Sequence, residues 1–144
     1  MPRQARDAAG YSGTPLAAKL GIKAGQRVAI VNAPAGFKRT LGTLPPGVRL
    51  AGRLAGGAPM IIAFATKHAR LLRSFGRWKR ALARDGSLWI CWPKRSSGAP
   101  TDLDENKVRD CGLDGGLVDV KACAVDATWS GLKFVYRLAD RGRS

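Results

Sequence analysis

Residues 60–84 read MIIAFATKHARLLRSFGRWKRALAR, and this stretch decides the fold class. It opens with Met60–Ala65, an apolar run without alternation, which is typical of a strand covered on both faces. Thr66 then offers the side chain of a helix N-cap. After Thr66 one apolar stripe recurs at helical spacing: Leu71, Phe75, Trp78 and Leu82. The stretch therefore predicts a buried strand followed at once by a helix from about Lys67 to Arg84, as in an α/β sheet.

Weaker patterns upstream extend the same alternation. A short helix fits residues 14–21, where Thr14 suits the N-cap, Pro15 the first helical position and Gly21 the left-handed stop. Two later runs predict strands: Arg27–Asn32 and Val48–Leu50.

The downstream half predicts one more buried strand, one helix and a hairpin. Asp85-Gly86 has the composition of a turn, and it leads into the apolar run Ser87–Trp92. Asp102 with Glu105 three residues later resembles the capping box of a helix that continues to about Cys111. The last two strands are predicted to join across residues 126–131: Leu117–Val125 and Leu132–Leu138.

These elements predict an α/β fold, a Rossmann-like three-layer sandwich with a C-terminal antiparallel hairpin at the sheet edge. The length of 144 residues suits one domain. We expect that single domain to span residues 13–139, between flexible tails at residues 1–12 and 140–144.

Charge is distributed very unevenly along the chain. The net charge is +15, and residues 1–84 hold 16 Lys and Arg against a single acid, Asp7. Residues 85–144 hold nine charges of each sign. The whole positive excess therefore lies in the first 84 residues, which favours an anionic partner.

Several classes of protein are excluded by composition. The longest apolar run, Met60–Ala65, is far short of the roughly 20 residues of a membrane helix. The polar start of the chain has no signal-peptide core, so we expect a cytoplasmic protein. Three widely spaced cysteines and one histidine, His68, do not supply a zinc site, and free thiols are expected.

Four segments carry a resemblance to a known family: GYSGTPL at 10–16, KLGIKAG at 19–25, LWICWPK at 88–94 and TWSGLKFV at 128–135. They resemble a family of small bacterial proteins classed as a domain of unknown function, over about residues 10–138. The resemblance implies a cytoplasmic bacterial protein and supplies no catalytic residues.

A more distant similarity is to class I methyltransferases that use S-adenosylmethionine. It rests on the turn Lys23–Val28, the segment Asp85–Leu88 and the terminal hairpin. Those enzymes have a Gly-x-Gly-type loop after the first strand, whereas residues 32–36 here contain Pro34, which lacks a backbone donor. They also have an acid after the second strand, and residues 48–53 contain none. We therefore expect the fold without a cofactor.

A ligand crevice is expected where parallel strands end near a reversal of strand order. Trp92 ends its strand there, on the same face as Leu88 and Ile90 and opposite Trp89 and Cys91. An aromatic plate beside hydroxyl and ammonium groups could hold a base or a small anion, although Trp92 could also simply fill the sheet end. The candidate crevice residues are Asn32, Gly36, Thr66, Trp92, Lys94 and Ser96. In contrast, Thr128–Gly131 is predicted to be a hairpin turn.

The predicted long helix carries a second candidate site. Five arginines recur at helical spacing with no acid among them and form what we call the arginine stripe: Arg70, Arg73, Arg77, Arg80 and Arg84. Lys67 and Lys79 lie close to it in sequence. Such a face could bind phosphates or an acidic protein, or could reflect only an arginine-rich proteome.

These observations favour a non-catalytic binding or regulatory protein that engages a nucleic acid or an acidic protein through the basic helix, with Lys67 and the arginine stripe as its anion-binding residues. No catalytic or metal-ligating residue is predicted. The alternative is an enzyme of degenerate methyltransferase type that binds a nucleotide or another small molecule in the crevice.

Overall fold

The computed structural model describes residues 14–142. The predicted tail at residues 1–12, most of the segment at 10–16, and residues 143–144 lie outside the described part of the chain. Among residues 14–142, no helix has the length and apolar character needed to cross a bilayer.

Six strands form one mixed sheet in the order β2-β1-β3-β4-β6-β5. Their bounds are β1 Arg27–Val31, β2 Arg49–Ala51, β3 Ala58–Phe64, β4 Leu82–Pro93, β5 Leu117–Ala124 and β6 Trp129–Tyr136. Strands β1 to β4 pair in parallel, while β6 is antiparallel to both β4 and β5. The predicted α/β class and the hairpin at the sheet edge are therefore confirmed.

Helices cover both faces of this sheet. The helices are α1 Leu16–Leu20, α2 Phe37–Leu41, α3 His68–Ala81, α4 Glu105–Asp114 and α5 Leu138–Arg141. Helices α1 and α2 pack on one face, and α3 and α4 pack on the other, so two hydrophobic cores share the sheet. Helices α2 and α5 are not predicted by the sequence patterns, and α5 crosses the domain boundary predicted at residue 139.

Alternation along β4 feeds both cores. Leu88, Ile90 and Trp92 belong to the core under α3 and α4, whereas Trp89 and Cys91 belong to the core under α1 and α2. This two-face arrangement is the predicted one. The Trp89 indole nitrogen donates to the carbonyl of Leu20 over 2.9 Å, so the buried polar atom of the ring has its acceptor.

The beginning and the end of α3 differ from prediction. Its N-cap is Lys67 rather than Thr66, and the Asp102 carboxylate accepts from the backbone N–H of His68 over 2.7 Å. The helix ends at Ala81 because Leu82 already pairs with Ala58. Arg84 is therefore in β4, not on the helix.

The turn predicted at Asp85-Gly86 is also wrong, because both residues lie within β4. The register of β4 against β3 shifts here, between the pairs that Ala58 and Met60 make. A side chain at Gly86 would come within 2.9 Å of the carbonyl oxygens of Ala58 and Pro59. A glycine is thus required for close approach of the two backbones, not for a turn.

Two other predicted caps are corrected. Pro15, not Thr14, occupies the N-cap of α1, although Gly21 ends that helix in the left-handed region as predicted. Asp104, not Asp102, caps α4 and accepts from the Lys107 N–H over 2.8 Å. The pKa of Asp102 lies below its usual value mainly because its carboxylate accepts from the His68 N–H. The pKa of Asp104 is lowered in the same way, mainly by the Lys107 N–H.

Two helical glycines are expected to respond oppositely to alanine. A Cβ at Gly112 in α4 would overlap the buried Phe134 ring, so Gly112→Ala should destabilise the fold by about 2 kcal/mol. A Cβ at Gly76 in α3 would meet only the flexible end of Arg80, at 3.3 Å, so Gly76→Ala should stabilise the fold by up to about 1 kcal/mol. Urea unfolding of both variants measures the difference. Equal effects of the two substitutions would contradict close packing of Gly112 against the Phe134 ring.

Burial of Cys91 should make stability depend on alkaline pH. All three cysteines are free thiols, and burial, followed by the nearby Cys123 and Asp126, raises the pKa of Cys91. As pH rises above about 9, the unfolded thiol ionises while the folded one stays protonated, so the free energy of unfolding should fall by roughly 1 kcal/mol per pH unit. Urea unfolding between about pH 8 and 10 measures this slope, and Cys91→Ala should reduce it. An unchanged slope in that variant would contradict the assignment.

Candidate functional site

The sheet leaves a crevice where its order of strand addition reverses. From β1 the chain passes to β2 on one side and then crosses to β3 on the other, and the carboxyl ends of β1 and β3 diverge at that point. A cavity of about 260 Å³ lies there, and we call it the crevice. Its lining residues are Asn32, Phe64, Ala65, Thr66, Arg70 and Trp129.

Asn32 forms one side of the crevice directly after β1. Its φ is 59°, so it lies in the left-handed region that asparagine tolerates better than most residues. This conformation turns the chain sharply between the end of β1 and the loop that contains Pro34, and the Asn32 side chain is exposed at the edge of the sheet. The crevice thus has an amide donor and acceptor at its entrance.

The opposite side is the junction between β3 and α3. The Thr66 carbonyl accepts from the Thr101 hydroxyl over 2.7 Å, and that hydroxyl accepts in turn from the Leu103 N–H over 3.0 Å. Together with the Asp102–His68 hydrogen bond, these contacts tie the junction to the loop before α4. Arg70 lies in the first turn beyond this fixed junction, and its exposed side chain reaches the crevice.

Trp129 supplies the aromatic side of the crevice. It opens β6, which runs antiparallel to β4, so the start of β6 lies at the edge where the parallel strands end. The Asp126 carboxylate accepts from the backbone N–H groups of Thr128 and Trp129, each over 2.8 Å. The indole ring packs edge-to-face on Phe64 with centroids 5.1 Å apart. The ring is therefore held in place rather than free to rotate.

The structure separates the six predicted crevice residues. Asn32 and Thr66 line the crevice, and Gly36 lines a neighbouring cleft of about 310 Å³. Trp92 does not line the crevice, because α3 and α4 cover its face of β4 and only 5% of the residue is exposed. The Lys94 ammonium donates to the Asp126 carbonyl over 2.8 Å, and Ser96 is exposed on a short 3₁₀ turn away from the crevice.

Sequence reasoning missed Arg70 and Trp129 as crevice residues. It assigned Arg70 only to the stripe, and it predicted Trp129 to be in a turn. One signal could have found Trp129: a strand antiparallel to β4 begins at the edge where the parallel strands end. An aromatic residue at the start of β6 therefore lies at the edge that contains the crevice.

The arginine stripe is shorter on the helix than predicted. Arg70, Arg73, Arg77 and Arg80 are exposed on α3, and Lys67 is exposed at its N-cap. Arg84 lies outside the helix, where its guanidinium sits 5.0 Å from the Tyr136 ring centroid and donates to the Asp140 carbonyl over 3.1 Å. Lys79 turns the other way and donates to the Gly115 carbonyl over 2.7 Å.

No carboxylate within residues 14–142 forms an ion pair with the four helical arginines of the stripe. The ion pairs of that part of the chain are Arg95–Asp104, Arg109–Glu105 and Arg109–Asp119. The four guanidinium groups therefore form a continuous positive surface that begins at the crevice with Arg70 and follows α3 away from it.

Solved structures with the same fold are S-adenosylmethionine-dependent methyltransferases. An enzyme of this class from Aquifex aeolicus superposes with a TM-score of 0.59 at 16% identity, over 81% of this chain and 85% of that chain. A putative type 11 methyltransferase from Sulfolobus solfataricus gives 0.53 at 14% identity, over 76% and 84%. A complex between a methyltransferase activator and a putative methyltransferase from Haloferax volcanii gives 0.59 at 10% identity, over 83% and 86%.

At these identities the likeness establishes the fold alone: this chain has the Rossmann-like fold of class I methyltransferases. No family model matches the sequence, and no curated protein matches it. The resemblance of the four segments to the bacterial family of unknown function therefore stays a prediction.

The residues at the edge of β1 and β2 do not fit S-adenosylmethionine. A cleft of about 200 Å³ at these strand ends is lined by Ile30, Lys38, Leu50, Ala51 and Gly52, none of which supplies the carboxylate that would hold the ribose hydroxyls. The preceding loop contains Pro34, and α2 has only five residues.

The Asp126 carboxylate is expected to hold Trp129 in the crevice. Asp126→Ala removes the acceptor of two backbone N–H groups, so it should destabilise the fold by about 1–2 kcal/mol and shift the Trp129 fluorescence to the red. Asp126→Asn keeps a side-chain oxygen and is the matched control, with little change in either measurement. An alanine variant that matches the asparagine variant in both would refute this role.

Proposed function

We propose that this chain is a cytoplasmic, non-catalytic protein that binds nucleic acid through the phosphates. The observation that carries the proposal is that the four helical arginines of the stripe are exposed, and no acid of residues 14–142 pairs with them. Arginine is the side chain best suited to bidentate phosphate contacts.

The spacing along α3 suits a chain of phosphates. With a rise of 1.5 Å per residue, Arg70 and Arg80 lie about 15 Å apart along the axis, and a guanidinium group follows about every 5 Å. Like charges at these helical spacings repel one another, so the stripe lowers the stability of the free protein. A bound polyanion would remove that repulsion.

The position of Arg70 extends the proposal from the helix to the crevice. Its guanidinium belongs to both, so a phosphate bound at Arg70 would place the attached sugar and base near the Trp129 ring. Stacking of a base on an aromatic side chain is sequence-tolerant, which agrees with the lack of any base-reading motif in this chain. An unpaired strand therefore suits this surface better than a duplex.

The test is salt-dependent binding of a single-stranded oligonucleotide, measured by fluorescence anisotropy. Arg73→Ala/Arg80→Ala should weaken binding and reduce the slope of log K against log salt by about 1.4, since each phosphate contact contributes about 0.7 for a single strand. The matched control, Arg39→Ala/Arg53→Ala, removes two exposed guanidinium groups elsewhere and should leave the slope nearly unchanged.

Two outcomes would contradict the proposal. One is binding that does not weaken with salt, and the other is an equal loss in the stripe variant and its control. Binding to an acidic protein but not to the oligonucleotide would show that the arginine stripe binds an acidic protein, the other partner expected from the sequence.

A second candidate function is binding of a small anion with a planar ring, such as a nucleotide, in the crevice. Arg70 and Trp129 support it, because a cationic and an aromatic group line one cavity. At about 260 Å³ the crevice has room for a base or a single nucleotide but is small for a larger cofactor.

A thermal-shift titration with mononucleotides tests this candidate. A ligand at ten times its Kd should raise Tm by about 4 °C, and Trp129→Ala should abolish the rise. S-adenosylmethionine should give no rise, since no carboxylate lines the cleft at the end of β2. If no nucleotide raises Tm, nucleotide binding in the crevice is contradicted, whereas the proposal for the arginine stripe is unaffected.

A further inference from the structure

Three lysines lie together on the face of the sheet opposite the arginine stripe. Lys121 on β5 and Lys133 on β6 are direct cross-strand partners. The neighbours of Lys133 in β6, Leu132 and Phe134, point into the core under α3 and α4, so Lys133 points to the face covered by α1. Lys23 lies two residues after Gly21, the glycine that ends α1 and that the Lys133 ammonium approaches, and we call these residues the lysine cluster: Lys23, Lys121 and Lys133.

This arrangement is unfavourable for the free protein. Like charges directly opposite each other on two strands destabilise a hairpin. Lys133 is half-buried, and its Nζ lies 3.7 Å from the position that a Cβ on Gly21 would occupy. Burial, and then the charges of Lys121 and Lys23, lower the pKa of Lys133.

Internal contacts account for only part of the cluster. The Lys121 ammonium donates to the Lys19 carbonyl over 3.0 Å, at the carboxyl end of α1 where a cation is favoured. No acceptor among residues 14–142 hydrogen-bonds to the Lys133 ammonium. Asp119, the acid nearest to Lys121 in β5, pairs instead with Arg109 over 3.0 Å.

We propose that the lysine cluster binds a phosphate dianion. The Lys133 ammonium lies beside Gly21, and the Lys121 ammonium reaches the Lys19 carbonyl two residues earlier, so two ammonium groups meet at the end of α1. Lysine binds phosphate as a point charge, and a doubly charged phosphate would neutralise the cross-strand pair. The phosphate could be free or the terminal group of a nucleotide, because the recognising chemistry is the same.

This site is independent of the proposed function. The arginine stripe lies on α3, on the other side of the sheet, and shares no residue with the lysine cluster. A lysine-cluster variant should therefore bind an oligonucleotide at the stripe as the wild type does, and the stripe variant Arg73→Ala/Arg80→Ala should keep its response to phosphate.

The test is the Tm of the full chain with inorganic phosphate, pyrophosphate and AMP, each at constant ionic strength against chloride. Wild-type Tm should rise by about 2 °C or more at 10 mM inorganic phosphate. Lys133→Met keeps the apolar stem and removes the charge, so its Tm should exceed that of the wild type without phosphate and should not respond to phosphate. Lys38→Met, an exposed lysine on α2, is the charge-matched control and should respond like the wild type.

The arms distinguish the sources of the phosphate. A rise with AMP larger than that with phosphate, lost in Lys133→Met but kept in Trp129→Ala, would assign the site to a nucleotide, and an equal or smaller rise would assign it to the free anion. Two results would overturn the proposal: no phosphate-specific rise in the wild type, or a lower Tm of Lys133→Met without ligand, which would mean that Lys133 only stabilises the end of α1.

Discussion

The burial of β3 on both faces is the constraint on which the rest of the structure depends. Ile61 and Ala63 lie in the core under α3 and α4, and Met60, Ile62 and Phe64 lie in the core under α1 and α2. A strand with two apolar faces requires helices on both sides of the sheet. It also requires neighbours on both edges, which β1 and β4 provide. Because β1 and β3 are then adjacent, their carboxyl ends form the crevice, and the chain leaving β3 must enter α3 beside it.

How much of the molecule the sequence predicts depends on whether the decisive contacts are local. The run Met60–Ala65, the alternation in β4 and the helix stop at Gly21 are local patterns, and each is found in the structure. The contact that ends α3 is not local, because Leu82 leaves the helix to pair with Ala58 on β3. The cap of α3 is not local either, since Asp102 comes from a loop 34 residues away.

The candidate site divides in the same way. Asn32 and Thr66 follow directly from the ends of two predicted strands and do line the crevice. The composition of residues 128–131 suggests a turn, but β6 already begins at Trp129 and pairs with β4. Only this pairing places Trp129 at the crevice. A five-residue helix such as α2 shows no hydrophobic period, so the loop after β1 could not be distinguished from an irregular one.

Five acids of the described chain make contacts elsewhere in the fold, which leaves them unable to pair with the arginine stripe or the lysine cluster. Asp102, Asp104 and Asp126 accept from backbone N–H groups, and Glu105 and Asp119 pair with Arg109. These carboxylates hold the loop before α4, the cap of α4 and the start of β6 in place, so they cannot move to neutralise the arginine stripe or the lysine cluster without loosening the fold. Water and salt screen the attraction between exposed cations and distant acids, so such acids stabilise exposed cations little. Anions in solution would neutralise the two surfaces, and the spacing of guanidinium groups on one face and of ammonium groups on the other would select among those anions.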